Sequence, residues 1–243
     1  MPTPRNDLLR ALGQALAPIR DFSSTLPDDD AAARFFLRAI HRDRCPACHA
    51  TGVHLASARE LHCQACGHRS LTSSTALRGT RLPLRIWLAA AWHIFVDTET
   101  LSARAFGRRY QLRAQTAWRL LHEVRGAIPY LRPRDAGTTV QLLGRQSPTN
   151  TAFVTLTHDD DLGLCAVVAE ESTPSQSASP PVLALWLGRL RAWICDVFRG
   201  VSRRYLPRYL AELVARFRRV ARGSGPQPSG FQDAFEPRGF GTR

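Results

Sequence analysis

Apolar positions along this chain fall first into helix-like runs, then into strand-like runs, and then into helix-like runs again. Leu8, Leu9, Leu12 and Leu16 recur at the spacing of one helical face, and the run ends at Pro18. Pro27, Asp28, Asp29 and Asp30 follow and read as an acidic linker. Further on, Leu84, Trp87, Leu88, Ala91, Trp92 and Phe95 predict a helix with one buried face. Leu101-Ser102 opens a short helix with Ser102 as its N-cap, running through Ala103, Phe106 and Arg109 to about Tyr110. After Gln111-Leu112 another helix begins, with Ala117, Leu120, Leu121, Val124 and Ile128 on its buried face.

From Thr138 the period shortens. Residues 138–144 and 151–157 predict strands, and 163–170 form a third apolar run. The stretch 172–181 is a Pro/Ser/Gln spacer without core-forming residues. Two helices are expected at about 183–198 and 203–221. In the second, Leu206, Tyr209, Leu210, Leu213, Val214, Phe217 and Val220 share a stripe that suits either the core or a dimer seam. Arg208, Arg216, Arg218, Arg219 and Arg222 lie off that stripe or at its end, as phosphate contacts or as a solvated face. The tail from Gly223 is rich in Gly and Pro and is expected to be disordered.

Charge sharpens the division. The 243-residue chain carries a net charge of +13, and all 33 of its basic residues are arginine. Residues 34–134 hold 17 Arg against 5 acids, and 182–222 hold 10 Arg against 2, whereas 135–181 hold 1 Arg against 6 acids. Two basic blocks around an acidic one favour a polyanionic partner, for which nucleic acid is the usual case. The longest apolar run, 86–96, is too short to span a bilayer and contains His93. No basic stretch followed by an apolar run marks a secretory signal at the N-terminus, so a cytoplasmic, nucleoid-associated address is expected, with no membrane partner. Thiols stay reduced there, which makes closely paired cysteines metal ligands rather than disulfides.

Cys45-Pro46-Ala47-Cys48, fourteen residues, then Cys63-Gln64-Ala65-Cys66 is such a pairing. Four thiolates satisfy tetrahedral Zn²⁺, and a two-residue gap lets each pair turn around one ion. Residues 53–56 and 60–62 suit a small hairpin between the pairs, which is the zinc-ribbon arrangement. With all four positions thiolate, no site is left for water, so the expected zinc is structural. His49, His62 and His68 sit beside the ligands, and Cys165 and Cys195 read as core cysteines.

Two helices across so short a turn give the helix-turn-helix outline. The outward face of the second holds Arg113, Gln115, Thr116 and Arg119, to which Arg104, Arg108 and Arg109 of the first add charge. Arg suits guanine or phosphate and Gln suits adenine, so these seven are the candidate DNA-contact residues. An ordinary helical hairpin with a solvated charged face is the plain alternative.

At this point the chain resembles a known family. Residues 45–66, the run Leu71-Thr72-Ser73-Ser74-Thr75, the helix start Pro83-Leu84-Arg85-Ile86-Trp87 and the segment 101–121 look like the N-terminal half of bacterial insertion-sequence transposases of the ISXO-like, zinc-ribbon group. Phe198-Arg199-Gly200-Val201-Ser202-Arg203-Arg204-Tyr205-Leu206, with Arg208-Tyr209-Leu210 and Arg216-Phe217, is similar to that family's closing helix. The resemblance covers about residues 35–222 and is weakest in the centre. It implies a ribonuclease-H-like catalytic domain in which acidic residues hold two Mg²⁺ for DNA cleavage and strand transfer.

The chain departs from the family at that chemistry. Alignment sets Val140-Gln141-Leu142-Leu143-Gly144 on the family's first acidic strand motif, with Leu143 at the aspartate position. The last acidic position falls near Ala184, and the spacer 172–181 replaces the region that should supply another carboxylate. A two-metal site needs carboxylates converging on ions about 4 Å apart, and apolar side chains cannot substitute. Asp159, Asp160 and Asp161 suit a solvated hairpin turn, and Glu170 and Glu171 an ordinary surface. No catalytic residue is therefore assigned and no Mg²⁺ is expected.

The expected fold is α+β: an N-terminal helix and linker (1–33), a zinc ribbon (34–76), a helix-turn-helix segment (77–134), a truncated ribonuclease-H-like remnant of three strands and two helices (135–222) and a disordered tail (223–243). The expected function is DNA binding by a transposase-derived protein defective in cleavage and strand transfer. Double-stranded DNA is the expected partner, with a second copy of the chain or a related transposase. Two alternatives stay open: an active DDE transposase with unplaced carboxylates, and a zinc-ribbon/helix-turn-helix transcription regulator of separate origin.

Overall fold

The computed structural model describes residues 5–97, 99–128, 138–142, 152–159, 163–169, 193–198, 201 and 204–221. The chain divides into two compact units, one of 1–97 with 103–128 and one of 98–102 with 129–243.

The first unit is mainly helical, with one small two-stranded sheet. Helix α1 (Arg5–Leu16) buries Leu8, Leu9, Leu12 and Leu16, the stripe expected from their spacing. Helix α2 is a single turn (Phe22–Thr25), and α3 covers Asp29–His41. The acidic stretch 27–30 is thus not a linker. Asp28 accepts from the Ala31 backbone N–H as the N-cap, and Asp29 and Asp30 occupy the first turn, where negative charge complements the helix dipole. Aspartate serves both turns and helix starts, which is why composition misread the segment. Strands β1 (Val53–Leu55) and β2 (Leu61–Cys63) pair antiparallel. Helices α4 (Leu84–Phe95), α5 (Ala103–Arg109) and α6 (Ala114–Gly126) complete the unit.

Helix α4 is its axis. Leu84 and every residue from Ile86 to Ile94 are buried, because α1, α3 and α6 all pack on it. An apolar helix without a polar face can be stable only when covered in this way. Each fully buried large side chain there contributes about 1.5–3 kcal/mol. Directional bonds fix the register: Trp92 Nε1 donates to the Ile19 carbonyl at 2.9 Å, and Arg85 Nε to the Leu26 carbonyl at 2.7 Å. At Gly13 the backbone of α1 comes so near α4 that a Cβ would stand 2.6 Å from the Phe95 ring.

The second unit contains an antiparallel meander of β3 (Thr138–Leu142), β4 (Ala152–Asp159) and β5 (Gly163–Ala169), in that order. Thr138 pairs with Leu156, Val154 with Val168 and Asp159 with Gly163. Helix α7 (Leu206–Ala221) lies against β5 and buries Leu206, Tyr209, Leu210, Leu213 and Val214. The helix expected at 183–198 is described only from 193, and there the chain forms a π-helical turn (Trp193–Val197) rather than an α-helix. Its Trp193 packs edge-on against Phe198 at 4.9 Å, and Phe198 against Tyr209 at 4.6 Å. Trp193 Nε1 donates to Thr100 Oγ1 at 3.0 Å. Arg216 is not on a solvated face: it is 8% exposed, and its Nε and Nη2 donate to Glu212 Oε1 at 3.0 and 2.8 Å. The expectations for Leu143, Asp160, Asp161, Ala184 and the tail lie outside the described residues.

Helices and antiparallel strands occupy separate stretches of the chain, so the fold is mixed α and β and compatible with the expected α+β class. Among the described residues no helix is long and apolar enough to cross a membrane.

Candidate metal centre and basic helical face

The two Cys-x-x-Cys segments fold into matching turns. In the first, Cys45 N–H donates to the Ala50 carbonyl at 2.8 Å, and His49 N–H returns to the Cys45 carbonyl at 3.0 Å. In the second, Cys63 N–H donates to the His68 carbonyl at 3.0 Å, and Gly67 N–H returns to the Cys63 carbonyl at 2.9 Å. Both turns need a left-handed residue directly after the second cysteine: His49 has φ 61° and Gly67 φ 70°. A left-handed residue reverses the chain within the few residues available, so all four sulfurs face one point.

Those sulfurs form a cluster that could hold a metal ion such as zinc. All four Sγ atoms lie within 4.8 Å of one another. Cys45 Sγ is 3.7 Å from Cys66 Sγ, and Cys48 Sγ is 3.6 Å from Cys63 Sγ. Zn–S bonds of about 2.3 Å in a tetrahedron place sulfurs about 3.8 Å apart. The observed pairs match that edge, and they are far longer than a disulfide of about 2.05 Å. Cys45 and Cys63 are buried, while Cys48 and Cys66 are exposed.

The backbone prepares the thiolates. Ala47 N–H points at Cys45 Sγ from 3.4 Å. The Cys63 thiol is pulled down to about 7, chiefly by the backbone N–H of Cys66 and also by that of Ala65. A backbone bond from His68 favours the Cys66 thiolate, but the neighbouring sulfurs and burial outweigh it and push that thiol up to about 12. Four thiolates in so small a volume repel one another, and a central cation removes the conflict.

None of the three neighbouring histidines belongs to the cluster. His62 stacks across the sheet on His54, with ring centres 5.3 Å apart. His68 Nε2 lies 2.9 Å from both the Ser70 carbonyl and Ser73 Oγ. His49 shapes the first turn. His41 reaches from α3 to the Leu71 carbonyl at 3.0 Å, and burial holds its pKa below the usual histidine value.

The helices α5 and α6 meet across a four-residue turn, 110–113, in which Gln111 is left-handed at φ 55°. Gly107 makes this approach possible, since a Cβ there would lie 2.9 Å from the Leu112 carbonyl oxygen. Phe106 of α5 and Ala117, Leu120, Leu121 and Val124 of α6 are all buried. Of the seven residues expected to face outward, Arg104, Arg108, Arg109, Arg113, Gln115 and Arg119 are exposed, and Thr116 is half-buried. The apolar spacing thus separates the buried side of α6 from this exposed basic side.

A buried polar chain beneath that face was not legible from periodicity. His93, 1% exposed on α4, has Nδ1 2.6 Å from Asp97 Oδ2 and Nε2 2.9 Å from the Tyr110 hydroxyl. An ionised carboxylate can only accept, so Nδ1–H donates to Asp97 and the second ring nitrogen shares a hydrogen bond with the Tyr110 hydroxyl. Burial raises the Tyr110 pKa, with Arg109 and Arg85 pulling it part of the way back. The chain ties the end of α4 to the first residue of the α5–α6 turn. In the sequence His93 stands only as a polar residue in an apolar run. The four-residue step to Asp97 is the one signal the chain offers, because Tyr110 reaches the site through the fold.

Comparisons with family models, with curated proteins and with solved structures find no match.

Proposed function

We propose that this chain is a DNA-binding protein derived from an insertion-sequence transposase and defective in cleavage and strand transfer. The cysteine hairpin acts as a zinc ribbon, and α5 and α6 act as a helix-turn-helix with α6 entering the major groove. The single observation that carries this proposal is the α5–α6 pair. A short turn, a glycine contact that a side chain would obstruct, and an exposed Arg/Gln face on the second helix are what groove reading requires. The antiparallel β3–β4–β5 meander with α7 beside it supports the view of 135–222 as a remnant of a ribonuclease-H-like domain.

The work assigned to each part follows from its chemistry. The zinc would be held by Cys45, Cys48, Cys63 and Cys66 and would cross-link a hairpin too small to stand alone. Arg113, Gln115 and Arg119 would meet base edges, and Arg104, Arg108 and Arg109 phosphates. Binding to duplexes selected from a genomic pool tests the proposal. Arg119→Ala should cost about 1–3 kcal/mol of affinity while leaving the melting temperature in place. A protein that shifts no duplex, even at low salt, would be something else. Mg²⁺-dependent strand transfer on terminal-repeat DNA would instead identify an active transposase and overturn the assigned defect.

A further inference from the structure

The cysteine hairpin carries a second concentration of positive charge, apart from α5 and α6. Between Asp43 and Asp97 the sequence contains a single acid, Glu60, against Arg44, Arg59, Arg69, Arg78, Arg81 and Arg85. Five of these arginines are exposed, and four of the five, Arg59, Arg69, Arg78 and Arg81, are gathered where the hairpin meets the start of α4. Arg59 and Arg69 lie on neighbouring segments, since Leu71 N–H donates to the Arg59 carbonyl, Leu61 N–H to the Arg69 carbonyl, and Glu60 bridges Ser70. Arg59 Nη2 donates to the Arg81 carbonyl at 2.9 Å, which brings residue 81 to the same seam. Arg78 stands three residues earlier, in the turn that Arg78 N–H closes on the Thr75 carbonyl.

Among the described residues, none of Arg59, Arg69, Arg78 and Arg81 makes an ion pair, and neither does Glu60. Elsewhere the same unit does neutralise arginines: Arg5 meets Glu123 and Arg10 meets Asp7. Like charges gathered without counter-ions repel, so a surface of this kind gains free energy when a polyanion settles on it. The seam offers guanidinium groups, a chemistry that neutralises phosphates.

We infer that Arg59, Arg69, Arg78 and Arg81 form a second DNA contact, one that grips the phosphodiester backbone without regard to sequence. The inference rests on the DNA-binding proposal above and assigns a different surface to it. The face on α6 selects the site, and the hairpin seam anchors the flanking backbone. Arg59 sits in the loop between β1 and β2 and Arg69 follows β2, so a metal held by the four cysteines would fix these two, and Arg81 is joined to them through the Arg59 hydrogen bond.

The test uses the full-length zinc-loaded protein and the affinity for a random-sequence duplex as a function of salt. Arg69→Ala with Arg78→Ala is the variant of choice, since Arg59 also makes a hydrogen bond to the fold. Two lost phosphate contacts should lower the slope of log affinity against log salt by about 1.8. Between 50 and 200 mM salt, the wild type should then lose roughly tenfold more affinity than the variant. The preferred sequence and the zinc content should stay unchanged, and Arg69→Lys with Arg78→Lys should restore most of the slope. An unchanged slope in the alanine variant overturns this inference and leaves the DNA-binding proposal standing. A wild-type protein that binds no duplex overturns both.

Discussion

His49 and Gly67 hold the same left-handed place in the two cysteine turns, one with a side chain and one without. A left-handed L-residue costs about 1–2 kcal/mol, so the first turn carries strain that the second avoids. The space around Gly67 is open, which leaves backbone conformation as the sole obstacle to a side chain there. Gly67→Ala should therefore destabilise the zinc-loaded protein by about 1 kcal/mol, whereas His49→Gly should stabilise it by a few tenths or more, after the glycine's added chain entropy is subtracted. Thermal melts of both variants at saturating zinc check the pair, and opposite signs to these would mean the two turns are not equivalent. At this scale the cysteines were fully legible, since thiol spacing states its chemistry directly. The hydrogen-bonded return of each turn was not, because main-chain bonds leave no mark on residue identity.

The elements were legible where one face of a helix is apolar, as in α1 and α6, whereas α4, expected to bury one face, is buried on nearly every side because α1, α3 and α6 all pack on it. They were misread where one residue type serves two purposes: Asp28 to Asp30 could close a turn or open a helix, and α3 shows that they open one. The approach of α5 to α6 depends on a single atom that is missing. Adding a Cβ at Gly107 would press on the Leu112 carbonyl at 2.9 Å, and backbone cannot yield as a flexible side chain would. Gly107→Ala should cost about 1–3 kcal/mol, the usual range for overpacking, despite the better helix propensity of alanine. On the DNA-binding proposal, the same variant should also weaken duplex binding beyond its stability loss, because the turn at 110–113 would set the aim of Arg113 and Gln115. Urea unfolding and duplex titration on the same sample separate the two effects. Equal stability and equal affinity would show that the two helices can part without consequence.

Across the first unit, the cysteine hairpin and the helical body are built separately. The body is closed by α1, α3 and α6 around α4, through side chains that owe nothing to the cysteines. The hairpin contributes strands of only three residues each and buries Leu61, Cys45 and Cys63. Two strands of that size are not stable in water without a staple. Removing zinc with a strong chelator under reducing conditions should therefore melt the hairpin and spare the helices. Far-ultraviolet circular dichroism should fall slightly, and, on the DNA-binding proposal, the salt slope of duplex binding should drop without vanishing. Zinc affinity should itself weaken as pH falls, since metal binding displaces protons from thiols, and the Cys63 thiol at about 7 gives up its proton more readily than that of Cys66. The sign follows from competition: more protons mean fewer thiolates, and fewer thiolates mean a weaker site. If chelation instead collapses the helical signal, the hairpin is part of the core. Its tethers, His41 on the Leu71 carbonyl and Arg59 on the Arg81 carbonyl, would then be the bonds through which the metal supports α3 and α4.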